Sequence, residues 1–184
     1  MSNINVINNA GKDVNVTVNE SKDGVQIVID LKGNKVELST LKRGDVFKGS
    51  SETEYILLDF DENGDALVLR KELLPDDMRF GSNNNFDGSD IDKYLNGVYL
   101  KEVEADFGAE NLVEQELDLT SMDGLDDYGK IKRKISLLPF NIYRRSRKWI
   151  GDNMLRAWWL LDADSTPSGD GSSCVRFVCD GVAA

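Results

Sequence analysis

Apolar residues alternate with polar ones over the first 38 residues, which is the period of a half-buried strand. Turn-forming residues at 8–11, 23–24 and 33–34 separate the alternating runs. The pattern predicts a small antiparallel β module of three or four strands, the last at Val36 and Leu38. The apolar positions that would form its buried face are Ile4, Val6, Val14, Val16, Val18, Val25, Ile27 and Ile29.

A module of this size makes a poor hydrophobic core by itself. An apolar sheet face and open strand edges are liabilities in a free protein. We therefore expect residues 1–38 to be a docking module that packs on a partner subunit or on a copy of itself. The alternative is that the module completes the core of the main domain, for example by pairing with a strand at Val46.

Residues 39–184 combine both periodicities, so we predict an α+β domain. Strands are expected at 46–47, 55–58, 66–69, 135–138, 157–161 and 174–179. Ser89 should cap a helix that carries Ile91, Tyr94, Leu95, Val98, Tyr99 and Val103 on one face. A second helix is expected around Leu112, Val113, Leu117 and Leu119, and a third after Pro139.

Residues 130–162 hold all three tryptophans, and aromatic side chains bury large areas. This stretch should therefore lie at the centre of the domain. Because Trp158 and Trp159 are adjacent in a strand, they should point to opposite faces. The predicted fold core consists of Tyr94, Leu95, Leu137, Trp149, Trp158, Trp159 and Phe177.

Charge is unevenly distributed along this chain, whose net charge is -11. Residues 102–127 contain ten acids and no bases, and residues 130–156 contain nine bases and one acid. We expect the two blocks to face one another or to line separate solvated faces; the alternative is a basic surface for an anionic partner. The acidic pI of about 4.5 disfavours nucleic acid.

No apolar run approaches the length of a membrane span, and the N-terminus has no secretory pattern. We therefore expect synthesis in the cytoplasm and no membrane partner.

The chain has no histidine, which excludes histidine-based triads and mixed Cys/His zinc sites. Residues 59–70 partly match an EF-hand loop, with Asp59, Asp61, Asn63, Gly64 and Asp65 at the early positions. The twelfth position, which should supply a bidentate carboxylate, is Arg70. Asn63-Gly64 is a strong hairpin signal, so we predict a β-turn rather than calcium, and no metal or cofactor.

Four short motifs occur in a fixed order: YLNG at 94–97, SLL at 136–138, WWL at 158–160 and VRFV at 175–178. Together with the Ser89 helix and the glycine-serine loop at 166–173, they resemble an uncharacterised family of C-type-lectin-like domains in Firmicutes and their phages. Tyr94 stands where that family has tryptophan, Ser136 precedes the leucines rather than following them, and Leu161 replaces an arginine. The resemblance covers about residues 41–182 and leaves the β module outside.

The resemblance implies a C-type-lectin-like domain at 39–184, preceded by the β module at 1–38. Because fold does not settle function, the resemblance implies a scaffold more than an activity. Together with the lack of a catalytic constellation and a β module too small to stand alone, it leads us to expect a non-enzymatic bacteriophage virion protein, a capsid decoration protein that contacts a virion protein such as the major capsid protein in many copies or as a homo-oligomer. The alternative is a tail-tip adhesin for a bacterial surface glycan or protein.

Cys174 and Cys179 resemble the cysteine pair of formylglycine-generating oxidases, a third and disfavoured function. We expect both to be buried, reduced structural thiols instead.

Overall fold

The computed structural model describes residues 14–21, 24–31, 36–150, 156–170, 173–179 and 182–183. The chain divides into two compact units, Met1–Glu37 and Leu38–Ala184. In the smaller unit, strands β1 (Val14–Ser21) and β2 (Gly24–Leu31) form an antiparallel pair. The strand predicted at Val36 and Leu38 is wrong: Val36 is not in a strand, and Leu38–Thr40 forms a 3-10 turn.

The larger unit begins with a three-stranded antiparallel sheet of β3 (Val46–Lys48), β4 (Glu54–Phe60) and β5 (Ala66–Arg70). The central strand β4 is buried on both faces, in agreement with the unbroken apolar run of its residues 55–58. Ile56 and Leu58 belong to one core cluster. Leu57 belongs to a different cluster, together with Phe47 and Tyr55. The β4–β5 turn is a tight hairpin with Gly64 at a φ of 86°.

A long helix follows, made of α1 (Asp90–Tyr94), a π-helical turn (Leu95–Tyr99) and α2 (Leu100–Phe107). The predicted cap is confirmed, since the Ser89 hydroxyl accepts a hydrogen bond from the Asp92 N–H. Val98 was predicted on the apolar face, but it is 62% exposed. The wider π turn changes the angular spacing, so Tyr99 rather than Val98 follows Leu95 into the core.

The acidic segment contains a strand where a second helix was predicted, so that prediction is wrong. Strand β6 (Gln115–Asp118) pairs with β7 (Lys130–Arg133). Leu117 and Leu119 are buried two residues apart, at strand period, and Val113 is 54% exposed. Residues 135–138, predicted as a strand, are irregular chain between β7 and the next helix.

Helix α3 (Phe140–Ile150) begins directly after Pro139, as predicted. The last sheet has the order β10 (Val182–Ala183), β9 (Val175–Cys179), β8 (Trp158–Ala163). Within β8, Trp158 packs against a core cluster beneath α3 that includes Ile56, Leu58 and Tyr143. Trp159 packs against a second cluster, around the long helix, that includes Phe80, Leu95 and Tyr99. The tryptophans therefore point to opposite faces and join two cores.

The other predicted core residues also contact these clusters. Leu95 is buried, Tyr94 and Leu137 pack around the long helix, and Trp149 packs beneath α3. Phe177 meets Trp159 edge to face at 6.2 Å between ring centroids. The larger unit is thus α+β, with small antiparallel sheets and two helices as its principal elements.

Candidate functional site

Six of the eight residues predicted to dock lie in β1 and β2; Ile4 and Val6 lie outside the described residues. The strand register pairs Val14 with Leu31, Val16 with Ile29, Val18 with Ile27 and Glu20 with Val25. In the first three of these pairs both residues are apolar.

The larger unit has a polar cavity of about 340 Å³ at the end of the β3–β5 sheet, where β3 ends, β4 begins and β5 ends. This volume is near the lower end of the range for small-molecule sites, roughly 300 Å³ and above. The lining comprises two cations, three carboxylates and two hydroxyls: Lys48, Arg70, Glu52, Glu54, Glu72, Ser51 and Thr53.

One wall of the cavity is fixed by Asp106 of α2, which is 7% exposed. Its two carboxylate oxygens accept hydrogen bonds of 2.6 Å from the Tyr55 hydroxyl and from the Ser51 N–H. Gly49 is required beside this contact, because a Cβ there would overlap the Asp106 carboxylate. These bonds hold the 49–53 turn against the long helix.

The electrostatics of this contact favour a charged aspartate beside a neutral tyrosine. Burial alone would raise the pKa of Asp106, but the hydrogen bonds from Ser51 and Tyr55 outweigh it and hold that pKa below its ordinary value. Burial, followed by the hydrogen bond to Asp106, raises the pKa of the Tyr55 hydroxyl far above its ordinary value.

Arg70 contributes a cation to the cavity that has no carboxylate partner among the described residues. Its guanidinium carbon lies 5.9 Å from the centre of the Tyr99 ring. Its Nε is buried, and its guanidinium hydrogen-bonds the Tyr99 side chain. Tyr99 therefore holds Arg70 in place, and no described carboxylate forms a salt bridge with this cation of the lining.

A second buried carboxylate, Asp92, ties the long helix to the β6–β7 hairpin. Arg133 donates to both of its oxygens, at 2.8 and 2.9 Å, and also reaches Asp87 at 2.7 Å. Asn96, in the π turn, donates to the Ile135 carbonyl and accepts from the Ile135 N–H. This network satisfies its own members, so its role is structural.

The loops near β8 and β9 are joined by Asn84, which is 2% exposed. Its amide donates to the carbonyls of Ser165 and Cys174 and accepts from the Tyr128 hydroxyl at 2.6 Å. Nearby, Asp127 accepts from the Thr166 hydroxyl and the Ser168 N–H. Three segments distant in sequence are thereby held in one arrangement.

The prediction that both cysteines are buried is wrong, because Cys174 and Cys179 are exposed and form no disulfide with each other. Cys174 directly precedes β9, and Cys179 is the last residue of β9. Their side chains therefore face solvent and do not belong to the core.

The residues of the EF-hand-like loop are engaged in protein contacts. The Asp61 carboxylate accepts from the N–H groups of Asn63 and Asp65, at 2.9 and 2.8 Å, which closes the hairpin turn. Asp59 forms salt bridges with Arg43 and Arg145, at 2.5 and 3.1 Å. Across the described residues, no group of three His, Cys, Asp or Glu side chains could hold a metal ion.

The acidic and basic blocks meet at one described ion pair, Lys130 with Glu116 at 3.0 Å. The other described ion pairs of the basic block are made to Asp59, Asp77, Asp87 and Asp92, outside residues 102–127. The two blocks face one another along β6 and β7, where Glu116 lies opposite Lys132 and Asp118 lies opposite Lys130.

Sequence patterns do not reveal that Tyr55 pairs with Asp106 or that Arg70 lines a cavity. Asp106 is 51 residues from Tyr55 and 55 from Ser51. No spacing rule connects residues so far apart. One weak signal was available: Asp106 follows the apolar face of a predicted helix, and a carboxylate on that face must find a donor when it is buried.

No helix in the described part of the chain is long and apolar enough to cross a membrane. The chain matches no protein-family model, no curated protein and no solved structure.

Proposed function

We propose that this chain is a non-enzymatic bacteriophage virion protein, a capsid decoration protein that docks through its N-terminal β module. The observation that carries the proposal is the division of the chain into a β unit of 37 residues and a larger α+β unit. The β1–β2 register supports docking, because it pairs Val14, Val16 and Val18 with the apolar residues Leu31, Ile29 and Ile27. A two-stranded hairpin is at best marginally stable by itself.

We also propose that the larger unit is a C-type-lectin-like domain displayed outward from the particle. The order of its elements supports this: a hairpin, a Ser89-capped helix, the Trp158-Trp159 strand, a segment rich in glycine and serine in the sequence, and the closing strand β9. The network around Asn84 would keep the displayed loops in a fixed arrangement. The major capsid protein would be the partner, and the chain would be present in many copies.

Electron microscopy of gold-labelled particles tests this proposal. Antibodies to the larger unit should decorate the heads of purified particles from the strain that encodes the chain. Label confined to the tail end would instead support the alternative, a tail-tip adhesin for a bacterial surface glycan or protein. Absence of the chain from purified particles would contradict both.

A further inference from the structure

We propose that the cavity at the end of the β3–β5 sheet binds a small zwitterion, a free amino acid or a short peptide, with its carboxylate at Arg70 and its ammonium group at the cavity glutamates. This inference concerns the larger unit and does not rest on the proposed virion function.

The position of the ligand carboxylate follows from Arg70. Its guanidinium lines the cavity and forms no salt bridge among the described residues. The other cation of the lining, Lys48, is already engaged by Glu52 at 3.0 Å. A planar carboxylate is the group that a guanidinium pairs with best, so we assign the ligand carboxylate to the Arg70 guanidinium.

The position of the ligand ammonium group follows from the three glutamates. Glu52 is paired with Lys48, and Glu54 is paired with Lys71 at 2.6 Å. Glu72 is exposed and forms no salt bridge within the described part of the chain. With two cations and three carboxylates in the lining, a multiply charged anion would be repelled, whereas a ligand carrying one charge of each sign matches both Arg70 and Glu72.

The composition of the lining disfavours two other ligand classes. It contains no aromatic ring on which a sugar could stack and no large aliphatic side chain to cover an apolar ligand. The cavity is also held in shape, because Ser51 in its wall donates its N–H to the buried Asp106. A preformed polar site of this kind orders few side chains when a small polar ligand binds.

Titration of the ¹⁵N-labelled full chain with glycylglycine tests the inference directly. The backbone amide resonances of Ser51 and Thr53 should shift and saturate. N-acetylglycylglycine, which lacks the ammonium group, and glycylglycinamide, which lacks the carboxylate, should each bind at least about tenfold more weakly, because each loses one charge-assisted contact. No shift at about 50 mM glycylglycine, well above the millimolar range of a weak complex, or equal affinity for all three compounds, would overturn it.

Two substitutions separate the roles of the lining residues. Arg70→Gln should weaken glycylglycine binding about tenfold or more by removing the carboxylate contact. Glu72→Gln changes an exposed side chain, so it should fold normally and weaken glycylglycine but not N-acetylglycylglycine. The matched control is Arg79→Gln, since Arg79 is 69% exposed and does not line the cavity. Unchanged glycylglycine affinity in Glu72→Gln would contradict the assigned ammonium position.

Discussion

Two buried carboxylates, Asp92 and Asp106, connect segments that are far apart in sequence. Asp92 is 3% exposed and accepts two hydrogen bonds from Arg133. Asp106 accepts from Tyr55 and Ser51. Removing one partner of a buried charge leaves the other unsatisfied, which costs more than the bond itself contributes.

Replacing Tyr55 by Phe should destabilise the protein by about 1.5–3 kcal/mol, the range for a hydrogen bond to a charged group. The pKa of Asp106 is lowered in the folded state, so its stabilising contribution is present above the ordinary aspartate pKa of about 3.9. That contribution is lost as the pH falls through the lower, folded-state pKa. Urea unfolding of parent and variant should therefore show a free-energy difference that shrinks on acidification.

The matched control is Tyr128→Phe, which removes a hydroxyl that donates to the neutral amide oxygen of Asn84. Its effect on the free energy of unfolding should not change over the same acidic range. A Tyr55→Phe difference that stays constant down to about pH 2, below the ordinary aspartate range, would show that a charged Asp106 is not the acceptor.

Because Cys174 and Cys179 are exposed, a double Cys→Ser variant should change the free energy of unfolding by no more than about 0.5 kcal/mol. Both thiols of the parent should react with an aromatic disulfide reagent without denaturant. If either thiol reacts only after the protein unfolds, that cysteine is buried, and its exposed position is contradicted.

Residue-scale predictions from sequence succeeded where the chemistry is local. The Ser89 cap acts on an N–H three residues away, so a short pattern reveals it. Asp106 and Arg70 acquire their environments from strands and helices brought together by the fold. Their surroundings depend on tertiary contacts that no local pattern encodes.

At the scale of elements, β8 joins two hydrophobic clusters through adjacent indoles. Trp159 donates its indole N–H to the Met78 carbonyl at 3.1 Å, and its ring meets Phe80 edge to face. Trp158 meets Tyr143 edge to face, and its indole N–H has no acceptor in the described part of the chain.

The two tryptophans should therefore respond differently to phenylalanine. Both substitutions remove a similar volume, but only Trp159→Phe breaks a hydrogen bond and leaves the Met78 carbonyl without that donor. We expect Trp159→Phe to cost about 1 kcal/mol more than Trp158→Phe in the free energy of unfolding, measured by denaturant titration. The reverse order would refute the assigned hydrogen bond.

Gly44 is a second element-scale constraint, because it has a φ of 93° and its open side is filled by the Trp149 ring of α3. Gly64 has a similar φ of 86° with no atom near its missing Cβ. Alanine at either site is strained because a positive φ is unfavourable for a residue with a Cβ. Only at Gly44 must the added Cβ also displace the Trp149 indole. Gly44→Ala should lower the free energy of unfolding by about 1–3 kcal/mol more than Gly64→Ala. Equal losses would mean that α3 does not pack there.

Strands and helices could be predicted where their own periodicity is strong, as in β4 and the Ser89 helix. The prediction failed at Leu117 and Leu119, since the acidic residues around them have low strand propensity and pairing with β7 decides the structure. It also failed at Val98, because a π turn is not visible in a pattern that assumes 3.6 residues per turn.

At the scale of the whole molecule, the chain consists of two units that meet in sequence between Glu37 and Leu38. From the sequence, we predicted the boundary between the two units one residue later, after Leu38, where the strand-like alternation ends. Leu38 belongs with the larger unit, because it packs against the cluster of Phe47, Tyr55 and Leu57.

The most direct test of the docking proposal is a chain that starts at Leu38, compared with the full chain in particle assembly. If Met1–Glu37 is the docking module, the truncated protein should be soluble and keep the near-ultraviolet circular dichroism of its tryptophans, because all three lie in the larger unit. It should be absent from purified particles that contain the full chain. Incorporation of the truncated protein, or loss of its tertiary spectrum, would contradict the proposal that the β module is a separate docking element.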